Sequence, residues 1–440
     1  MAVEEKIPTG PKGRRFIGNI IEFTEDPLGF LLKCSHEYGD LVVLSKKTYL
    51  VSHPELIEQV LHNKDGTYEK SDPSDRQKNQ SAFPASVMSS SGSDWRNKRR
   101  MLQPAFQRAL VDDGMARSAA ITQSYLQHWR QNTPDADLRQ EMQRICMSTG
   151  GAFLFNSSTE GEQTQAVVRM VDAIMGLTRS QIRFPAFIPT PNNVRLRRAR
   201  ADLDKALDRI IENYRSALSP SPCLLGMLLD HDGTGKSRWL RDELSTMIMS
   251  GLEPMADALT WVFYLLATHL TAQQKLQQEV DLVLSDQASL STADLPKLPF
   301  TQAVVKEALR LYPPAWMTGR IAMRDTVLGG FHVPAGTTLT VSPWVSHRDA
   351  RYFQDPGIYR PERWLDHSFS ESLPKYAYFP FGGGARKCIG DHLSMMQIIT
   401  TIAAITREFD LTLKPSAVVK PFPALVLRPL GVSVNMVSRH

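Results

Sequence analysis

Apolar residues recur at intervals of three and four over most of this chain, and that spacing predicts helices. From "WRNKRRMLQPAFQRALVDDGMARSAAITQSYLQHW" to about residue 310 the pattern is almost unbroken. The prolines and paired asparagines of "RFPAFIPTPNNVRLRR" interrupt it, and "SPSPCLLG" separates the next pair of helices. The first hundred residues differ: a helical run, "LGFLLKCSHEYG", is followed by the short strand candidates "DLVVLSK" and "TYLVS". After residue 312, "VLGGFHVPAGTTLTVSPW" reads as a hairpin and "FPALVLRPLGVSVNMV" as another, with the amphipathic helix "DHLSMMQIITTIAAITREF" between them. The expectation is a mainly α fold with small β-sheets, one at each end of the sequence. Strand-bearing parts are expected near 40–60, 315–345 and 410–440, and a helical body near 90–312 and 388–408. No internal repeat is visible.

One position breaks the pattern. In "GLEPMADALTW" a proline, Pro254, sits between the helical runs "WLRDELSTMIMS" and "WVFYLLATHL". An interior proline removes a backbone hydrogen bond, crowds the carbonyl four residues back and costs about 3 kcal/mol in an ordinary helix. Either the helix ends there or it is deformed there.

Composition narrows the setting. At 440 residues the chain is long for one core, while 42% hydrophobic and 22% charged residues suit an ordinary globular protein. Its four cysteines, Cys34, Cys146, Cys223 and Cys388, have neither paired nor metal-finger spacing, which argues against a disulfide framework or a zinc site and for a reducing compartment. The N-terminus "MAVEEKIPTGPKGRRFIGNI" is acidic where a secretion signal is basic, and no run approaches the roughly 20 apolar residues that span a bilayer. The net charge of +5 is dispersed. A cytoplasmic protein without membrane or nucleic-acid partners is expected, with a local basic face for an acidic protein still open.

The chemistry concentrates in "FPFGGGARKCIGDHLSMMQ", residues 379–397. Three successive glycines let the backbone turn tightly and approach a flat partner. Cys388 stands just before a helix, where unpaired N–H groups favour a thiolate, with Arg386 and Lys387 beside it. Phe381, Gly384, Arg386, Cys388 and Gly390 fill a pattern that resembles the haem-binding loop of the cytochrome P450 family. Other landmarks of that family follow in order along nearly the whole chain: Glu307 and Arg310 in "KEALRLYPP", Arg363 in "PERW", Trp95 and Arg99 in "DWRNKRRMLQPAF", Arg320, and His347 in "SHRDARYF".

The resemblance implies the cytochrome P450 fold, in one haem domain over residues 1–440, and haem b (iron protoporphyrin IX) as cofactor. Cys388 is then the axial ligand and only metal-binding residue. Trp95, Arg99, Arg320, Phe381, Gly382 and Arg386 become cofactor-binding residues, and Glu307, Arg310 and Arg363 a structural ion network. Thiolate ligation favours O–O cleavage. The chain carries no flavin or dinucleotide fingerprint, so a separate ferredoxin or flavodoxin-type donor with its reductase is expected. Lys98, Arg100 and Lys387 are the candidate docking charges. Segments placed over the open haem face suggest Phe83, Val87, Met88, Leu252, Met255, Trp316, Met317, Ala424 and Leu425 as the lining for a small hydrophobic or amphipathic substrate.

On the long helix the family carries an acid followed by an alcohol; here the acid is Glu253 and the alcohol is replaced by Pro254. The helix of such proteins is already opened at this point, so a proline is tolerated, and Glu253 and Pro254 become the catalytic candidates. The leading expectation is a monooxygenase of specialised metabolism whose protons arrive through water from Glu253, or with help from a substrate hydroxyl. The missing alcohol leaves open a peroxide-dependent, rearranging or coupling haem-thiolate enzyme. A haem protein that senses or carries a ligand without turnover is the reading from another class.

Overall fold

The computed structural model describes residues 6–14, 18–63, 65–70, 82–131, 137–157, 161–179, 184–185, 187–216, 222–285 and 290–439. Glu4 and Glu5, which carry the acidic reading of the N-terminus, lie outside them, as do parts of the two proline-rich interruptions. The chain divides into two compact units. One comprises residues 1–75 and 306–389, the other 76–305 and 390–440.

The first unit is organised on a five-stranded sheet in the order β1-β2-β7-β4-β3, where β1 is Leu41–Ser45, β2 Thr48–Val51, β3 Tyr68–Glu69, β4 Thr318–Ala322 and β7 Thr338–Val341. Strands β1 and β2 form the expected hairpin, but β2 pairs in parallel with β7, Thr48 opposite Thr338 and Val51 opposite Val341. This corrects the expectation of separate sheets at the two ends of the sequence. Alternate side chains, among them Leu41, Val51, Leu339 and Val341, are buried with Ile57, Val60 and Leu61 of the helix Pro54–His62. That helix starts with proline at its first position, where the missing N–H costs nothing. A separate hairpin joins β5 (Thr326–Leu328) to β6 (Phe331–Val333) through Gly329 and Gly330, both at positive φ, the conformation a tight hairpin turn demands.

The second unit is helical. Its principal helices are Arg108–Gln131, Leu138–Phe155, Glu162–Arg179, Pro191–Ser216, Arg238–Thr268 and Asp391–Glu408. The helix Arg238–Thr268 is capped by the Ser237 hydroxyl, which accepts from the Leu240 N–H at 3.1 Å, and runs through Pro254 without ending. Gly150 of Leu138–Phe155 lies against Leu252 so closely that a Cβ would meet Leu252 Cδ2 at 2.0 Å.

The C-terminal strands are β8 (Phe409–Leu413), β9 (Lys420–Pro423), β10 (Leu427–Leu430) and β11 (Val434–Ser438). The stretch "FPALVLRPLGVSVNMV" is not one hairpin: β10 pairs with β9 and β11 returns to β8. Buried polar groups fix both pairs to the helices. Gln273 donates to the Leu411 carbonyl and accepts from its N–H at 2.9 and 2.8 Å, and the Trp261 indole donates to the Leu427 carbonyl at 3.0 Å.

Candidate active site

In the first unit the glycine loop is anchored before it presents its cysteine. The Phe379 N–H donates to Nε2 of His347 at 2.9 Å, and the Cys388 N–H closes the loop onto the Phe381 carbonyl at 3.0 Å. His347 is fully buried and burial holds its pKa far below the usual value, so it is the neutral acceptor this bond requires. Gly382 and Gly384 adopt φ of +71° and +66°, and a Cβ on Gly384 would strike the Leu61 carbonyl oxygen at 1.8 Å. Any other residue at 384 would displace the loop from the helix behind it. The side chain of Cys388 is exposed, whereas Cys34, Cys146 and Cys223 are buried.

Three cations share this region. Arg320 is buried, and Lys70 and Arg386 have their pKa values pushed down to about 8 and about 10, first by burial and then by the positive neighbours Arg386 and Arg320. Glu69 offsets part of that charge on the two arginines. A reachable sulfur two residues from Arg386, with Arg320 and Lys70 close enough to feel that guanidinium, is a donor set suited to a metal carried on a dicarboxylate ring, so the residues present fit haem b. Lys70 was not signalled by any motif.

The same unit holds the predicted ion network, and it is larger than expected. Glu307 accepts from Arg310 Nε and Nη2 at 2.9 and 2.8 Å, from Arg363 Nε at 3.1 Å, from the Arg360 N–H at 3.0 Å and from the Trp364 indole at 2.9 Å. Arg310 spends its remaining donors on the carbonyls of His347, Pro356 and Ile358. The tryptophan of "PERW" is thus part of the network. Trp316 is buried, its carbonyl accepting from Ser342, and Met317 is 39% exposed.

In the second unit Trp95 and Arg99 lie four residues apart on the helix Gly92–Leu102, both half-buried. Lys98 is not a surface docking charge as expected: it donates to Ser90 and Asp94 at 2.7 and 3.0 Å and its side chain is only 13% exposed. Arg100 is exposed there, and Lys387 is exposed in the first unit. Phe83 and Met255 are buried, Val87 and Ala424 are half-buried, and Met88 and Leu425 are exposed. Leu252 is buried, and its side chain packs over Gly150.

The long helix carries its acids in two states. Glu253 is buried; Arg139 donates to it at 2.6 Å, Gln143 bonds its other oxygen, and Arg428 approaches at 3.4 Å. Arg139 also donates to Asp257 at 2.7 Å, whose second oxygen has no partner and whose pKa burial pushes up to about 6. With both oxygens held by donors, Glu253 is a member of an ion cluster. Ten residues earlier, Asp242 and Glu243 accept from the N–H groups of Ala85 and Val87 at 2.9 and 2.8 Å and so fasten the segment that bears Phe83 and Val87. Nothing in the local sequence signals this, since the partners are backbone groups far away in the chain.

The profile of the family described as Cytochrome P450 matches residues 8–436. The chain is 32% identical to cyclooctat-9-en-7-ol 5-monooxygenase of Streptomyces melanosporofaciens, over 92% of this chain and 89% of that one. It is 30% identical to pentalenene oxygenase of Streptomyces avermitilis, over 98% and 97%. The fold superposes on the retinoic-acid-bound cyanobacterial CYP120A1 with a TM-score of 0.85 at 23% identity, covering 99% of this chain and 100% of that one. No described helix is long and apolar enough to cross a membrane.

Proposed function

The chain belongs to the cytochrome P450 family, and on that premise we propose that it oxygenates a cyclic terpene skeleton, with Cys388 as the protein ligand of the haem iron. Membership makes the protein an oxidoreductase of the monooxygenase kind with haem b as cofactor, and the names of its Streptomyces relatives support a part in specialised metabolism. The observation that carries the reading is the exposed Cys388, the one cysteine of four not buried, at the end of a loop that leaves its side chain accessible. The bound haem supplies activation of dioxygen, one atom going to substrate and one to water.

The chain's own residues do the rest. The bond from the Cys388 N–H to the Phe381 carbonyl holds the cysteine's backbone at the end of the loop, and we assign the Phe381 ring to pack against the sulfur. Arg320, Arg386 and Lys70 receive a carboxylate of the cofactor, as do Trp95 and Arg99, and all of these lie in a single haem domain. Gly382 gives the backbone its close approach. Phe83, Val87, Met88 and Met255, with Ala424 and Leu425, offer apolar surface in the second unit, and Trp316 and Met317 in the first, which suits a hydrocarbon skeleton. Electrons come from a ferredoxin or flavodoxin-type donor with its reductase, attracted by Arg100 and Lys387. Three buried free thiols suit a cytoplasmic setting.

The test is optical. The reduced protein with carbon monoxide should show the red-shifted Soret band of a thiolate-bound haem, and Cys388→His should abolish it. Pentalenene and cyclooctat-9-en-7-ol, added to the oxidised protein, should perturb the Soret band. A band that survives Cys388→His overturns the ligand, and silence toward cyclic terpenes alongside a response to other compound classes overturns the substrate class.

A further inference from the structure

Between Asp242 and Ala267 every residue of the long helix is buried except Met249, Ser250, Gly251, Pro254 and Tyr264. The helix is therefore uncovered at one turn, where Ser250 bears the one polar side chain, and a Cβ on Gly251 would meet nothing within 4 Å. The Ser250 hydroxyl donates to the Thr246 carbonyl at 2.6 Å, leaving both oxygen lone pairs as acceptors. Pro254 has no N–H to give the Ser250 carbonyl, so the turn that would normally tie this serine's backbone is loosened.

Two further groups lie on the same stripe. Residues 243, 246, 250 and 254 are three, four and four apart, which places them on one helical face. Thr246 is buried and its hydroxyl has no hydrogen-bond partner, although a helical threonine normally bonds back to a carbonyl. Glu243 is fully buried. Its Oε2 accepts from Val87, and its Oε1 has no partner. Unsatisfied buried oxygens are destabilising, and three polar side chains in line, two of them unsatisfied, are not what packing alone selects.

We propose that Glu243, Thr246 and Ser250 form a proton path along this face, delivering protons at the Ser250 hydroxyl in place of the alcohol that Pro254 displaces. The path rests on the monooxygenase reading, because that reaction consumes two protons for each dioxygen cleaved. The proton leaves the Glu243 carboxyl, passes through the Thr246 hydroxyl and exits from Ser250 Oγ, and Glu243 is recharged from solvent. Steps of about 4.5 and 6 Å along the axis suit one bridging water each. Burial raises the Glu243 pKa to about 7, where a group both holds and releases a proton at neutral pH. The charges facing it are Lys98, which favours the anion, and Asp94 and Asp242, which oppose it. Glu253, by contrast, has donors on both oxygens, Arg139 and Gln143.

Two readouts test the path on the haem-loaded protein. By infrared difference spectroscopy, a protonated-carboxyl band should titrate near neutral pH, vanish in Glu243→Gln and shift in Thr246→Val. With pentalenene as probe substrate, Ser250→Ala, Thr246→Val and Glu243→Gln should each divert reducing equivalents from product to hydrogen peroxide, by on the order of tenfold. Adding Pro254→Thr to Ser250→Ala should restore product, which a merely structural serine would not allow. Glutamine at 243 keeps an acceptor for Val87, so loss of that loop is not the cause. A Glu243 carboxyl ionised throughout, or a larger diversion in Glu253→Gln than in all three variants, overturns the path. Loss of the thiolate band in the parent protein would instead overturn the haem reading beneath it.

Discussion

Buried carboxylates in the two units are built on opposite terms. Around Glu307 each carboxylate oxygen meets several donors, from two arginines, a backbone N–H and an indole. On the long helix Glu243 and Asp257 each keep one oxygen with no partner. A saturated carboxylate, whose oxygens are all met by donors, ties several chain segments together, and its worth is structural. An unsaturated one sits between charge states, and its worth lies in being able to change.

The largest effect should come from opening the saturated cluster. Glu307→Ala leaves Arg310 and Arg363 buried without their anion, a loss of about 3–5 kcal/mol. Chemical denaturation of the haem-loaded protein should show that drop, or no loaded protein should be recovered; an unchanged midpoint would break the contrast. Arg139→Ala should come next, at about 2–3 kcal/mol, because it strips the shared cation from Glu253 and Asp257 while Gln143 and Arg428 remain.

Glu243 offers a sharper test through pH. Its folded pKa, about 7, lies above the value of 4.5 in a solvated chain, so the folded state holds the proton more tightly. Stability therefore falls as pH rises from about 4.5 to about 7 and is level above that, a loss on the order of 3 kcal/mol. Glu243→Gln should flatten this slope in denaturant melts across that window, and an unchanged slope would place the titrating group elsewhere. Pro254→Ala should matter least: stability within about 1 kcal/mol by the same melts, and electron coupling nearly unchanged, since no side-chain hydroxyl is lost.

Much of this was legible in the sequence. Long helices announce themselves by spacing, and the glycine loop does so because its turns tolerate nothing bulkier at Gly384. Strand partners did not, because β10 and β11 are adjacent in sequence yet pair with β9 and β8. Periodicity fixes a helical face without saying what that face meets, so the close approach of Leu252 to Gly150 could not be read from the spacing. Glu243 was invisible for a related reason: its partner is the N–H of Val87, and a backbone group leaves no signature in residue identity.

The parallel pairing of β2 with β7 has a consequence for synthesis. Thr48 meets Thr338 only after almost the whole helical body has left the ribosome, so the five-stranded sheet is among the last elements able to close. Until then the β1–β2 hairpin carries an unpaired edge on a nascent chain, a template for the wrong neighbour. The loop 381–388 belongs to the same unit and emerges later still, so production in cells should respond to slower translation and to chaperone supply.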